Sequence, residues 1–220
     1  MCSIVGSKYP NRILELVKEN SYRGEFSFSF TLIDKELNLH TVRDFGSFNN
    51  NMFLKECEGI DLLYIICHCQ APTGGLIKDY NRIHPIVSGK YRLLHNGILK
   101  QKWVDAWKLN SPSNTDFDTF QFINYLEDTL EERSLEDALY SVDGSYACVL
   151  MTEKDFPVVF RNDSSVLHFK QTNDDIELSS HKIEGFEVLQ PYTTNIINLN
   201  TYTLQKIGNF KSVNMPFYFG

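Results

Sequence analysis

A chain of 220 residues, 42% hydrophobic and 22% charged, is an ordinary folding sequence, enough for one large domain or two small ones and too short to carry a synthetase as well. Its net charge of −7, with no run rich in Lys and Arg, excludes a general binder of polyanions, so no direct nucleic-acid partner is expected. The longest apolar run, residues 62–67, is far shorter than a bilayer span, and the opening Met1-Cys2-Ser3-Ile4-Val5-Gly6 has neither the basic nor the apolar segment of an export signal. Five cysteines without disulfide-like spacing fit a reducing cytoplasm, so a cytoplasmic protein with no membrane partner is expected.

After a short apolar start, residues 10–20 read as a helix, with Ile13, Leu14 and Val17 on one stripe and Pro10 at its entry, ended by Tyr22-Arg23-Gly24. Residues 26–32 alternate strictly between apolar and polar, the period of a strand that buries one face, and 39–45 form its hairpin partner across an Asp34-Lys35-Glu36 turn. A short helix over 49–57 precedes a mostly apolar strand over 62–70, of the kind covered on both faces. Pro72-Thr73-Gly74-Gly75 is a loop whose paired glycines suit close backbone approach. Residues 91–99 read as a strand interrupted at His95-Asn96-Gly97. The strongest helix pattern covers 116–132, capped by Thr115 or Asp116, with a shorter helix over 134–142 opening on Ser-x-x-Asp. Strands are predicted at 146–152, 158–161, 167–170, 176–178, 195–199 and 202–207, which makes an α+β domain of two sheets with helices packed on or around them. Residues 209–220 stand apart as an aromatic tail without periodicity, to be packed on the chain's own sheet or docked into a partner.

Cys2 is the first residue with chemical promise. A small residue after Met1 normally permits removal of the initiator, which leaves a thiol and an α-amine of near-neutral pKa on one residue, a nucleophile with its own base. Taken alone, a cysteine in second place means little. Its company along the chain is more specific: Tyr22-Arg23-Gly24, His68-Cys69-Gln70-Ala71-Pro72-Thr73-Gly74-Gly75, His84-Pro85, His95-Asn96-Gly97, Thr115-Asp116-Phe117-Asp118, Asp143-Gly144-Ser145-Tyr146-Ala147 and Arg161-Asn162-Asp163-Ser164. In this order and at these spacings the set resembles class II glutamine amidotransferase domains, the N-terminal-nucleophile (Ntn) hydrolases that take ammonia from glutamine, over residues 1–208.

The resemblance implies a four-layer αββα sandwich of two mainly antiparallel sheets and a two-step hydrolysis through a thioester on Cys2. Asn96 and the Gly97 backbone N–H would then hold the oxyanion, Arg23 would steady the nucleophile, and Asp116 would hold the substrate α-ammonium. Gln70, Thr73, Gly74 and Gly75 would line the rest of the substrate, glutamine or a γ-glutamyl amide. No cofactor or metal is implied, and Cys67 with Cys69 lacks the second pair a zinc site needs. The implied partner is an ammonia-acceptor enzyme carried on a separate subunit, unless the chain is a stand-alone amidohydrolase.

One departure from the family pattern matters. Gln70 falls where the family has its carboxylate-binding arginine, and a neutral amide cannot replace a bidentate Arg–carboxylate pair in kind. Ser3 also replaces the usual glycine beside the nucleophile, and Gly74 stands where many members carry histidine. Three readings stay open: Arg82 or Arg92 moves in, the substrate is a different amide, or the glutaminase is weakened and the fold serves as a binding or regulatory module. His68, His84 and His95 are read as structural core and turn residues, and the acidic stretch 127–137 as a solvated helical face.

Overall fold

The computed structural model describes residues 2–71, 78–108 and 117–213. In chain order its elements are β1 (Ser3–Ser7), α1 (Pro10–Glu19), β2 (Ser27–Asp34), β3 (Leu39–Phe45), α2 (Asn50–Cys57), β4 (Leu62–Gln70), β5 (Ile86–Ser88), β6 (Tyr91–Leu99) and α3 (Gln101–Lys108). They continue with α4 (Asp118–Leu130), α5 (Leu135–Leu139), β7 (Gly144–Met151), β8 (Val158–Arg161), β9 (His168–Gln171), β10 (Ile176–Ser179), β11 (Glu187–Val188), β12 (Thr193–Asn198) and β13 (Thr203–Asn209). One sheet runs β11-β9-β10-β1-β4-β2-β3 and the other β13-β12-β8-β7-β6-β5, with antiparallel neighbours throughout.

Strand alternation explains why these sheets stack in four layers. In β4, Ile65, Cys67 and Cys69 pack with Ile13, Leu16 and Val17 of α1 and Phe53 of α2, while Tyr64 and Ile66 turn the other way. In β7, Ala147, Val149 and Met151 meet that second face, whereas Tyr146, Cys148 and Leu150 pack under Trp103, Phe122, Tyr125 and Leu139 of the remaining helices. The order is therefore helix, sheet, sheet, helix, with the central strands β4 and β7 burying apolar residues on both sides.

Two expectations need correction here. The alternating segment at β2 does not bury one face: all eight of its residues are buried, because Ser27, Ser29 and Thr31 lie against the second sheet and not in water. Small hydroxyls are tolerated there because they find partners, Ser27 Oγ on Gln70 Oε1 at 3.0 Å and Thr31 on Thr41 at 3.0 Å. The strand over 91–99 is also continuous, not interrupted at His95-Asn96-Gly97. Helix α3 was not anticipated, although Trp103 and Trp107 stand at helical spacing and pack together on Tyr125. The Ser-x-x-Asp start is present, Ser134 Oγ accepting the Asp137 N–H at 3.2 Å.

The three histidines of the motif set gather where the sheets meet α4. The His68 and His84 rings lie 4.3 Å apart, and Thr119 Oγ1 bonds both His84 Nε2 at 3.3 Å and His95 Nδ1 at 2.9 Å. Burial pushes His68 down to about 3 from an ordinary 6.5, against a hydrogen bond to the His95 backbone, and His84 also falls well below its usual range. Arg43, whose guanidinium donates to Pro85 O, faces the same pair and depresses His84 further.

Such rings stay neutral in the fold but take up protons when unfolded, so stability falls as pH drops from about 6.5 towards about 3. At pH 5 His68 alone contributes about 2 kcal/mol of that loss. In urea melts, the wild-type midpoint should therefore fall between pH 7 and pH 5 more steeply than that of His68→Gln. Equal falls in the two proteins would refute this account.

Candidate active site

The position of Cys2, the candidate nucleophile, follows from β1. Its register, Ser3 opposite Cys69, carries Cys2 to the level of Gln70 at the end of β4, and alternation from the inter-sheet residue Ile4 turns Cys2 towards the second sheet. The Ala71 backbone N–H bonds the Cys2 thiol, and Arg23 Nε donates to the Cys2 carbonyl at 3.0 Å. Gly24 lets the turn after α1 close on this end, since a Cβ there would lie 2.5 Å from the Gln70 carbonyl carbon. Burial raises the thiol pKa above its ordinary value; the Ala71 N–H opposes this, the Asp118 carboxylate adds to it and Arg23 opposes it. The resting sulfur is a thiol, so it needs a base to become a nucleophile.

Asn96 and Gly97 reach the same region from β6. Asn96 shares its face with the inter-sheet residue Leu94, so its side chain and that of Cys2 enter from opposite sheets. The Asn96 amide donates to Ser180 Oγ at 3.2 Å and has no other side-chain bond among the described residues. Gly97 lies hard against β7: a Cβ there would stand 2.0 Å from the Ser145 carbonyl oxygen. The Ile98 N–H points to β7, bonding Ser145 Oγ at 3.0 Å, and the Leu99 N–H points away from it, to Asp118 Oδ2 at 3.0 Å. Alternation then turns the Gly97 N–H away from β7 as well, to an edge that β5 has left, because β5 pairs only as far as Leu93. A continuous strand can thus present a spare donor at its open side.

Cys2, Arg23, Gln70, Asn96 and Gly97 are accordingly brought to one end of the sandwich. Thr73, Gly74, Gly75 and Asp116 lie outside the described residues, as do Met1, the proposed cap Thr115 and residues 214–220. The described part of the tail begins with Asn209 as the last residue of β13 and Phe210 buried over Tyr146. Gln70 is buried and held through Oε1 by Ser27 Oγ. Of the two arginines considered as replacements, Arg92 is committed elsewhere: it bonds the Leu39 carbonyl at 3.2 Å and Glu153 at 2.9 Å, at the far end of β6. Arg82 lies over the Phe117 ring at 5.7 Å, beside the start of α4. Ser180 and Asp118 were missed as site neighbours: Asp118 lies within the Thr115-Asp116-Phe117-Asp118 motif but was given no role, and nothing in the local sequence marks Ser180, which only the stacking of strands distant in the chain brings here.

The same architecture is found in solved structures. The glutamine phosphoribosylpyrophosphate amidotransferase of B. subtilis, determined with ADP and GMP, superposes with a TM-score of 0.69 at 19% identity over 93% of this chain and 49% of that one. This chain has the fold of a class II glutamine amidotransferase domain. The structure described as the allosteric regulatory enzyme of purine biosynthesis gives 0.70 at 18% identity, over 94% of this chain and 48% of that one. A glutamine aminotransferase class-II domain protein from Silicibacter pomeroyi gives 0.55 at 11% identity, over 94% of this chain and all of its own. The chain thus spans about half the length of the first two. Comparison of the sequence with protein-family models and with curated proteins gives no match. The amidotransferase fold here contains, among the described residues, no helix long and apolar enough to cross a membrane.

Proposed function

We propose that this chain is an Ntn-type amidohydrolase that cleaves the side-chain amide of glutamine, or a γ-glutamyl amide, through a thioester on Cys2. The observation that carries the reading is the convergence, across the sandwich, of the Cys2 thiol with the Asn96 amide and the open-edge N–H of Gly97. Once Met1 is removed, the Cys2 α-amine takes the thiol proton, and the sulfur attacks the amide carbon. The electron pair of the carbonyl moves onto its oxygen, where Asn96 and Gly97 donate to it. Collapse of that intermediate expels ammonia or an amine, which leaves with the proton, and water then releases the acid and restores the thiol. Arg23, holding the Cys2 carbonyl, fixes the nucleophile's backbone. Asp116 and the loop Thr73-Gly74-Gly75 are assigned to the substrate's α-ammonium, carboxylate and amide. Ammonia would pass to a separate acceptor enzyme in the cytoplasm.

A second reading is favoured by one residue. Gln70, neutral and pinned by Ser27, offers no charge to a substrate carboxylate, as suits an amidotransferase fold retained for binding or regulation. Intact-mass measurement with a diazoketone analogue of glutamine separates the two. The hydrolase reading expects a chain lacking Met1 that gains one adduct, and glutamine that competes with labelling. A chain that keeps Met1 would support the binding module, whereas a processed chain that takes no label would point to an amide other than that of glutamine, with Gln70 as the reason.

A further inference from the structure

Ser180, the residue after β10, is buried and bonds both halves of the site at once. Its Oγ accepts the Ile4 backbone N–H at 2.8 Å and the Asn96 Nδ2–H at 3.2 Å, while its own N–H donates to the Ile4 carbonyl at 2.9 Å. Ile4 lies two residues beyond the nucleophile on the same strand face, and Asn96 stands on the other sheet. One hydroxyl therefore ties the strand that carries Cys2 to the side chain assigned to the oxyanion.

The flanking residues strengthen the same junction. Ser179 Oγ accepts from Asn20 at the end of α1, and His181 Nδ1 pairs with the Tyr22 hydroxyl at 2.7 Å, next to the arginine that holds the Cys2 carbonyl. An amide NH2 has two hydrogens. With the Ser180 hydroxyl proton directed to the Ile4 carbonyl at 3.4 Å, Oγ faces Asn96 as an acceptor, so the bond uses one of these hydrogens and leaves the second available.

We propose that Ser180 is a positioning residue for the oxyanion donor: it sets the plane of the Asn96 amide relative to the Cys2 strand, so that a donor and not the amide oxygen meets the developing charge. The inference rests on the amidohydrolase reading. Losing an oxyanion donor costs roughly 10²–10³-fold in turnover, and loosening one costs less, so Ser180→Ala should lower kcat by roughly ten- to a hundredfold. KM should stay within about twofold, because the interaction is made in the transition state.

Two further measurements separate this role from general support of the fold. The Asn96 side-chain amide resonance, identified by its loss in Asn96→Ala, should shift or broaden in Ser180→Ala and return near its original position in Ser180→Thr, which keeps the hydroxyl. In the Asn96→Ala background, Ser180→Ala should cost little additional kcat. An unmoved Asn96 resonance, or a kcat loss that simply adds to that of Asn96→Ala, overturns the positioning role even in an active enzyme. Wild-type protein that neither hydrolyses glutamine or a γ-glutamyl amide nor takes the diazoketone label overturns the amidohydrolase reading itself, and the catalytic role of Ser180 with it.

Discussion

Cys2→Ala should reduce amide hydrolysis by at least roughly a thousandfold and abolish the diazoketone adduct while the protein unfolds at an almost unchanged temperature. The expected separation of activity from stability has a structural cause. Cys2 precedes β1 and contributes no side chain to the three apolar clusters, so its loss opens no cavity in the core. No other cysteine of the chain can replace it. Cys67 and Cys69 pack under α1 and α2, and Cys148 under the opposite helices, where burial drives all three thiols upward in pKa, Cys69 to about 12. Cys57 is partly buried in α2, on the side of the sheet away from Cys2, and burial lifts it to about 11. Peptide mapping after labelling locates the adduct; modification at any of these four, or turnover retained by Cys2→Ala, would remove the nucleophile from the proposal.

The Gly97→Ala substitution acts on the fold and the site together. The added methyl would meet the Ser145 carbonyl oxygen at 2.0 Å and its carbon at 2.6 Å, both backbone atoms of the neighbouring strand. Neither can swing aside as a side-chain tip would, so β6 and β7 must separate locally. Overpacking of this kind costs about 3 kcal/mol, a fall of roughly 6–12 °C in Tm for a chain of this size. The same separation moves the Gly97 N–H and the neighbouring Asn96, so labelling of Cys2 should slow even where the variant remains folded. Thermal unfolding followed alongside the labelling rate tests both parts. A variant that melts within 2 °C of wild type and labels normally would mean that β7 yields more easily than its pairing with β6 implies.

Much of this architecture can be read from the sequence because its devices are local. The apolar stripe of α1 and the Ser134 cap announce themselves within a few residues, and β4 reads as a doubly covered strand from composition alone. Strand β2 misleads for a physical reason: its small hydroxyl residues mimic a solvated face, but in the sandwich they lie against a second sheet and bond to Gln70 and Thr41. The His95-Asn96-Gly97 segment resembles a turn because Asn-Gly usually makes one; tight packing against Ser145, not a reversal of the chain, is what demands the glycine. The ordered motifs single out Cys2, Arg23, Asn96 and Gly97, which the structure brings to one end of the sandwich. They do not single out Ser180, since a serine after a short strand acquires meaning only from what other strands bring beside it.

The contacts through Ser180 also have a temporal side. They join residues 176 and 84 positions apart in sequence, and β1 sits between β4 and β10 in its sheet. As the chain leaves the ribosome, the strand next to Cys2 emerges before both of its neighbours, and the later of them, β10, is made long after β4. A nascent chain therefore carries Cys2 long before it has made the strands that surround it.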